Sequence, residues 1–254
     1  MALLRGVIVG CVCAAIVPIS GAIAHAAEIK VMATVAAKRT LEELVPAFEK
    51  ASANKVAIVY DLAAILKKRV LDGETADVLL LTRSALEDLQ KQHKLMPDSL
   101  TDVAHTPISM AVRAGAPKPD ISSVEALKRT LLAAHAITYP DPASGAASGV
   151  YFGHVLDRLG LTEALRPKTV LAMNPSTVVA RGDAELAVTE ATGIVPISGV
   201  QLVGPLPGEF AFAVALAAGV GAESAVPKVA ESFIQFFKEP SSIPILKSKG
   251  LEPG

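Results

Sequence analysis

Apolar and polar positions along this chain follow two periods, and the switches between them mark the elements. Ile29, Val31 and Ala33 recur at every second residue, which predicts a strand over Glu28–Thr34. Leu41, Leu44, Val45 and Phe48 then fall at helical spacing, predicting a helix over about 36–51 with Thr34 at its cap. Lys55–Tyr60 reads as a second strand, and Asp61 stands where it can cap a helix over about 62–71. The unbroken run Val78-Leu79-Leu80-Leu81 after Asp77 reads as a strand buried on both faces. Thr82-Arg83-Ser84 opens the next helix, about 85–93. Strands alternating with helices in this way predict parallel strands joined by crossover helices, an α/β fold.

The pattern continues through the second half. Pro107–Val112 reads as a strand, followed by the Gly/Pro-rich boundary Ala114–Pro119. Ser122 or Ser123 caps a helix over about 124–133, and Ala136–Tyr139 is a short β-prone run. Phe152, Val155, Leu156 and Leu159 lie on one face of a following helix. Strands are expected at Thr169–Met173, Ala184–Thr189, Gln201–Gly204 and Phe210–Ala217. A short helix opens at Asn174-Pro175-Ser176-Thr177, and two more cover Glu223–Lys238 and Ser241–Lys249.

Between the strand at 136–139 and its helix lie nine mostly small residues, Asp141-Pro142-Ala143-Ser144-Gly145-Ala146-Ala147-Ser148-Gly149. Such a strand-to-helix turn lets a ligand approach the backbone closely. The free N–H groups and positive dipole end of the helix make an anion site. Ser144 and Ser148 are also good N-cap types, so an ordinary capped turn explains them equally well.

Composition narrows the function classes. A 254-residue chain with 51% hydrophobic residues can bury a sizeable core. A formal net charge of −1 and the absence of Trp leave neither an electrostatic footprint nor stacking platforms for nucleic acid. Arg5, the apolar stretch from Gly6 to Val17 and Ala24-His25-Ala26 read as a secretory leader over residues 1–26, cleaved before Ala27. Both cysteines, Cys11 and Cys13, lie inside it, so the mature chain is expected to hold no disulfide or thiolate site and no lasting membrane insertion. Ile8-Val9-Gly10-Cys11 has the look of a lipoprotein box, but two residues after Arg5 leave too short an apolar core. No Walker loop, zinc motif or Gly-x-Ser-x-Gly elbow is present, and His93, His105, His135 and His154 are scattered as ordinary surface or cap residues. No metal and no cofactor is expected.

Five stretches in order, Glu28–Ala37, Glu74–Arg83, Ser109–Pro119, Asp141–Gly149 and Gly182–Glu190, resemble the molybdate-binding family of periplasmic solute-binding proteins. The resemblance covers nearly the whole mature chain and implies the two-lobed type II periplasmic-binding-protein fold. One lobe is expected over 27–112, completed by 201–254, and the other over 113–200. The ligand would sit between lobes that close by hinge motion. It further implies a periplasmic monomer that binds a small anion and serves an ABC-type transporter. Residues matching the family's ligand contacts are Thr34 and Val35 in the first turn, and Ser144, Ala146 and Ser148 in the central loop. Thr82 and Thr177 stand at further helix openings. Arg83 ends a strand where open α/β sheets bind ligands and suits a carboxylate, or else pairs with Glu87 one turn on.

Two departures from the family pattern bear on the ligand. Asp61 replaces small residues in a turn near the expected cleft, where an ionised carboxylate facing inward would repel an anion. Glu190 stands where molybdate binders commonly carry a Tyr, and an ionised Glu only accepts hydrogen bonds. Two like charges about 4 Å apart cost about 4 kcal/mol at an effective dielectric of 20. Glu190 facing the ligand therefore argues against molybdate and for a ligand with a hydroxyl, or for a carbon acid whose proton it removes as a general base. Glu190 capping or pairing outside the pocket is the other reading. Three functions follow, in this order: a transporter's binding protein for an organic di- or tricarboxylate, an aconitate isomerase on the same scaffold, and a molybdate or tungstate receptor.

Overall fold

The computed structural model describes residues 26–254; the expected leader, except its last residue, lies outside that range with both cysteines. The chain opens with β1 (Glu28–Thr34), a 3-10 turn at Val35–Ala37, α1 (Lys38–Ser52), β2 (Lys55–Asp61), α2 (Ala63–Leu71), β3 (Val78–Thr82) and α3 (Arg83–Lys91). It continues through β4 (Thr101–Arg113), α4 (Val124–Ala133), β5 (Ile137–Tyr139), α5 (Ala147–Leu159), α6 (Thr162–Leu165), β6 (Thr169–Leu171), α7 (Pro175–Arg181) and β7 (Leu186–Glu190). Last come β8 (Val200–Pro205), β9 (Ala213–Val220), α8 (Pro227–Lys238), α9 (Ile243–Ser248) and β10 (Glu252–Pro253).

Paired strands follow the order β2-β1-β3-β9-β4-β7-β5-β6, with β8 and β10 also on β4. The pairs β1–β2, β1–β3, β5–β6 and β5–β7 are parallel, as crossover helices require. Everything else pairs through the antiparallel strands β4 and β9. The 13-residue β4 belongs to both halves: Thr101–Pro107 lies along β9, whereas Ile108–Arg113 lies along β7 and β8. The expected strand began only at Pro107, because the mixed residues Thr101–Thr106 show no clean alternation. Pro107 sits where the strand changes partners, a place that tolerates a missing N–H.

Two other boundaries moved for physical reasons. The apolar run expected as a strand from Phe210 begins pairing only at Ala213; Gly208–Phe210 forms a 3-10 turn with Phe210 buried while the chain crosses between the halves. The helix expected from Glu223 starts at Pro227, which sits at a helix's first position, where no N–H is needed. This α8 returns to the first half, its Phe233 ring meeting Phe48 of α1 edge to face at 5.0 Å.

The parallel pairs end side by side. Thr34 is in register with Asp61, and Ala33 with Leu80 two residues before Thr82. In the other half, β5 and β7 run parallel toward Tyr139 and Glu190. Glu190 faces Ile108, the first residue of β4 on its new partners. Ligands of open α/β sheets bind beyond such carboxyl ends.

Candidate functional site

A cleft of about 980 Å³ opens between the two halves. Its polar edges are helix beginnings: Val35, Leu62–Ala64, Thr82–Ala85, Ala146–Ser148 and Asn174–Thr177. At none of these starts does the N-cap side chain bond the helix. Away from the cleft, α4 has a conventional cap, with Ser123 Oγ accepting from Ala126 N at 3.1 Å. The cleft's walls are apolar: Val35, Val150, Met173 and Phe212 are all solvent-exposed and all line it. Phe212 stacks on Tyr151 at 4.5 Å, and the Tyr151 hydroxyl donates to the Phe210 carbonyl. Burial raises the Tyr151 pKa above its ordinary value.

Thr34, Val35, Thr82, Arg83, Ala146, Ser148, Thr177 and Glu190 all line this cleft. Ser144 does not. Its hydroxyl is spent inside its own turn, donating to the Asp141 carbonyl at 2.6 Å and accepting from Ala146 N at 3.3 Å. Neither Ser144 nor Ser148 caps α5; Ala146 holds that position. Thr34 begins a 3-10 turn without a side-chain capping bond, and Thr177 donates back to the Asn174 carbonyl. Asp61 caps nothing beyond its neighbour: it accepts from Leu62 N at 2.8 Å and is absent from the cleft lining.

Arg83 makes the expected pair with Glu87 and a second one besides. It lines the cleft, while its Nε donates to Glu87 at 3.0 Å and its Nη1 to Asp102 at 2.9 Å. Asp102 first and Glu87 second raise its pKa further above the ordinary guanidinium value. The Asp102 partner, 19 residues on, carries no sequence signal. Arg39, Lys67 and His154 also line the cleft and were not singled out from the sequence. For His154 a signal existed: Ala147, Ser148, Tyr151 and His154 fall at helical spacing on α5.

Glu190 organises the site. Its carboxylate sits at the start of α5, with Oε1 accepting from Ser148 N at 3.3 Å. Oε2 accepts from Ser148 Oγ at 2.7 Å and from Thr189 Oγ1 at 3.2 Å. The expected alternatives of capping and facing the cleft are thus one arrangement: Glu190 occupies the positive end of α5 from another strand and lines the cleft while doing so. Ser148, fully buried, spends its hydroxyl on this carboxylate. The smallness of the loop serves packing first. A Cβ on Gly149 would lie 2.3 Å from the Pro140 carbonyl oxygen, so α5 can start against the end of β5 only with glycine there.

These roles separate the two serines experimentally. Ser144→Ala is expected to lower stability by about 0.5–1.5 kcal/mol with ligand affinity unchanged. Ser148→Ala, which removes a hydrogen bond to a charged group worth about 1.5–3 kcal/mol, is expected to reduce both. Thermal unfolding and calorimetry read the two quantities, and an affinity loss in Ser144→Ala would sink the assignment.

Among the described residues no three His, Cys, Asp or Glu side chains group to hold a metal ion, and no helix is long and apolar enough to cross a membrane.

Residues 29–252 match the model of a family described as bacterial extracellular solute-binding protein. The chain belongs to that family. It is 32% identical over 222 residues to an aconitate isomerase from Pseudomonas sp., covering 84% of this chain and 83% of that protein. Solved structures share the fold at lower identity. The periplasmic molybdate-binding protein of Azotobacter vinelandii matches with a TM-score of 0.71 and 21% identity, over 89% of this chain and 99% of its own. The sulfate-binding protein SubI of Mycobacterium tuberculosis matches at 0.69 and 19%, over 89% and 87%. The fold is the two-lobed α/β fold of periplasmic binding proteins, as the resemblance in sequence implied.

Proposed function

We propose that the protein acts outside the cytoplasm as an aconitate isomerase, binding a small tricarboxylate between its lobes and moving one proton along its allyl unit. The observation that carries this reading is the Glu190 carboxylate in the cleft wall, where an anion receptor needs a donor. The likeness to an aconitate isomerase, over 84% of this chain, supports it. The chemistry requires no cofactor. Glu190 takes a proton from the methylene carbon next to a carboxylate, and the C–H electron pair becomes the new C=C bond as the old one opens. Negative charge spreads over the conjugated carboxylates during this step. The protonated Glu190 then returns the proton to the far allylic carbon, which completes the shift and restores the base. Helix beginnings at Val35, Ala63, Ala64 and Ser84 present N–H groups to the charge that develops.

Incubation with cis- or trans-aconitate in heavy water, followed by proton NMR, tests the reaction. Interconversion of the two isomers is expected, with deuterium entering the methylene position when the base exchanges with solvent. Calorimetry at fixed pH and salt is expected to show tighter binding of trans-aconitate than of molybdate. Molybdate binding with no response to carboxylates would overturn the reading.

A second reading follows from the three hydrogen bonds that fix the Glu190 carboxylate. A fixed acceptor suits a carboxylate ligand that also carries a hydroxyl, held for an ABC-type transporter. Tight carboxylate binding without interconversion would favour this receptor.

A further inference from the structure

We infer that Arg39 is a specificity-determining residue that takes a second carboxylate of the ligand, so that the cleft selects polycarboxylates over monocarboxylates; this rests on the carboxylate reading above. Among the described residues, three side chains with permanent positive charge line the cleft: Arg39, Lys67 and Arg83. Two are already neutralised. Lys67 Nζ lies 3.0 Å from Asp88 Oδ2, and Arg83 is shared between Glu87 and Asp102. Arg39 has neither an ion-pair nor a hydrogen-bond partner among the described residues and is exposed to the cleft.

Its place on the helix gives a second, independent indication. Arg39 stands in the first turn of α1, where the helix dipole disfavours a cation, and that turn holds no acidic residue. The neighbouring Lys38 is accounted for, with its ammonium 5.6 Å from the centre of the Tyr60 ring. Arg39 has no such local account. A local rule broken without local compensation is what a binding site looks like from the sequence. An anion in the cleft supplies the compensation, since the helix start and the guanidinium attract it together.

The opposite wall strengthens the assignment. Glu190 already occupies the positive end of α5, so that terminus is not free for a ligand carboxylate. The donors left are those on the β1–β3 side: the openings at Val35, Ala63 and Ser84, and the fork of Arg39. One carboxylate on the helix openings and another on Arg39 would use the donors that Glu190 leaves available.

Calorimetry on the wild type, Arg39→Gln and Arg39→Lys tests this, with trans-aconitate and the monocarboxylate crotonate as ligands. Arg39→Gln is expected to weaken trans-aconitate by about 10- to 100-fold, the loss of a charge-assisted hydrogen bond, and to leave crotonate nearly unchanged. Arg39→Lys restores the charge but not the fork, and is expected to fall between. Thermal unfolding should not fall in Arg39→Gln and should rise slightly, because the side chain makes no bond among the described residues and the helix start disfavours its charge. Unchanged trans-aconitate affinity in Arg39→Gln, or equal losses for both ligands, would overturn the assignment. A wild type that binds trans-aconitate without isomerising it, with the Arg39→Gln loss intact, supports Arg39 and removes only the isomerase. A wild type that binds molybdate and no carboxylate removes both.

Discussion

Glu190→Gln is expected to reduce aconitate isomerisation by about 10²- to 10⁴-fold while leaving trans-aconitate binding measurable. Gln has nearly the same shape and keeps one carbonyl oxygen as an acceptor, so it can still accept from Ser148 N or Ser148 Oγ. The hydroxyls of Ser148 and Thr189 can rotate to accept from its amide group, which preserves the packing at the start of α5. What Gln cannot do is take a proton from carbon. Glu190→Asp keeps the base but withdraws it by one methylene, away from both α5 and the cleft, and is expected to retain partial turnover. Rates followed by proton NMR, beside calorimetric affinities, separate loss of chemistry from loss of binding. Wild-type turnover in Glu190→Gln would show that another group is the base.

The second large effect concerns the packing that positions this carboxylate. Gly149→Ala is expected to destabilise the protein by about 1–3 kcal/mol or more, the usual cost of overpacking. The added methyl would lie 2.3 Å from Pro140 O and 2.9 Å from Pro140 C, backbone atoms at the end of β5 that cannot rotate aside. For a chain of this size that corresponds to a fall in Tm of roughly 3–10 °C. Relief would come by moving the first turn of α5, which carries Ser148 away from Glu190, so ligand affinity should fall as well. Gly153→Ala, one turn further on, is the control. Its methyl would meet Pro142 Cγ at 3.4 Å, ordinary contact, so the better helix propensity of Ala is expected to stabilise by about 0.5–1 kcal/mol. Opposite signs for two identical substitutions in one helix cannot come from propensity alone. Equal stabilities for Gly149→Ala and the wild type would refute the close-approach account.

Much of the architecture was legible because burial leaves a period in the sequence. The β1–α3 alternation, the Ser123 cap and the short helix opening at Asn174 all follow from local patterns, and each is found within a few residues of its expected place. Two of the misplacements fall where the chain passes between halves. Thr101–Thr106 pairs on a strand that alternation does not mark, and Phe210 is buried by a crossing turn rather than by a sheet. An apolar run reports that residues are covered, not what covers them.

The candidate site was legible in part. The family resemblance, together with strand ends and helix openings, brought forward eight residues that line the cleft, since parallel strands carry their carboxyl ends to one side. Ser144 was indistinguishable from Ser148 by type and spacing, yet its hydroxyl closes a turn while that of Ser148 reaches Glu190, 42 residues away. Arg39 was passed over because a charged residue on a helix is ordinarily a solvated one.

By itself the sequence determined the α/β class, the order of nearly all elements, the family resemblance and the departure at Glu190, since each rests on residue type and short-range spacing. The tertiary structure alone decided where every polar side chain spends its hydrogen bonds. Asp61 turns to Leu62, Arg83 is shared with Asp102, Glu190 sits on the start of α5, and Arg39 is left without a partner among the described residues. Hydrogen bonds act within about 3 Å, and residues that close can be anywhere in the chain. Periodicity says which face of an element is buried; only the packing of elements from distant parts of the chain sets which donor meets which acceptor, and therefore which charge remains for a ligand.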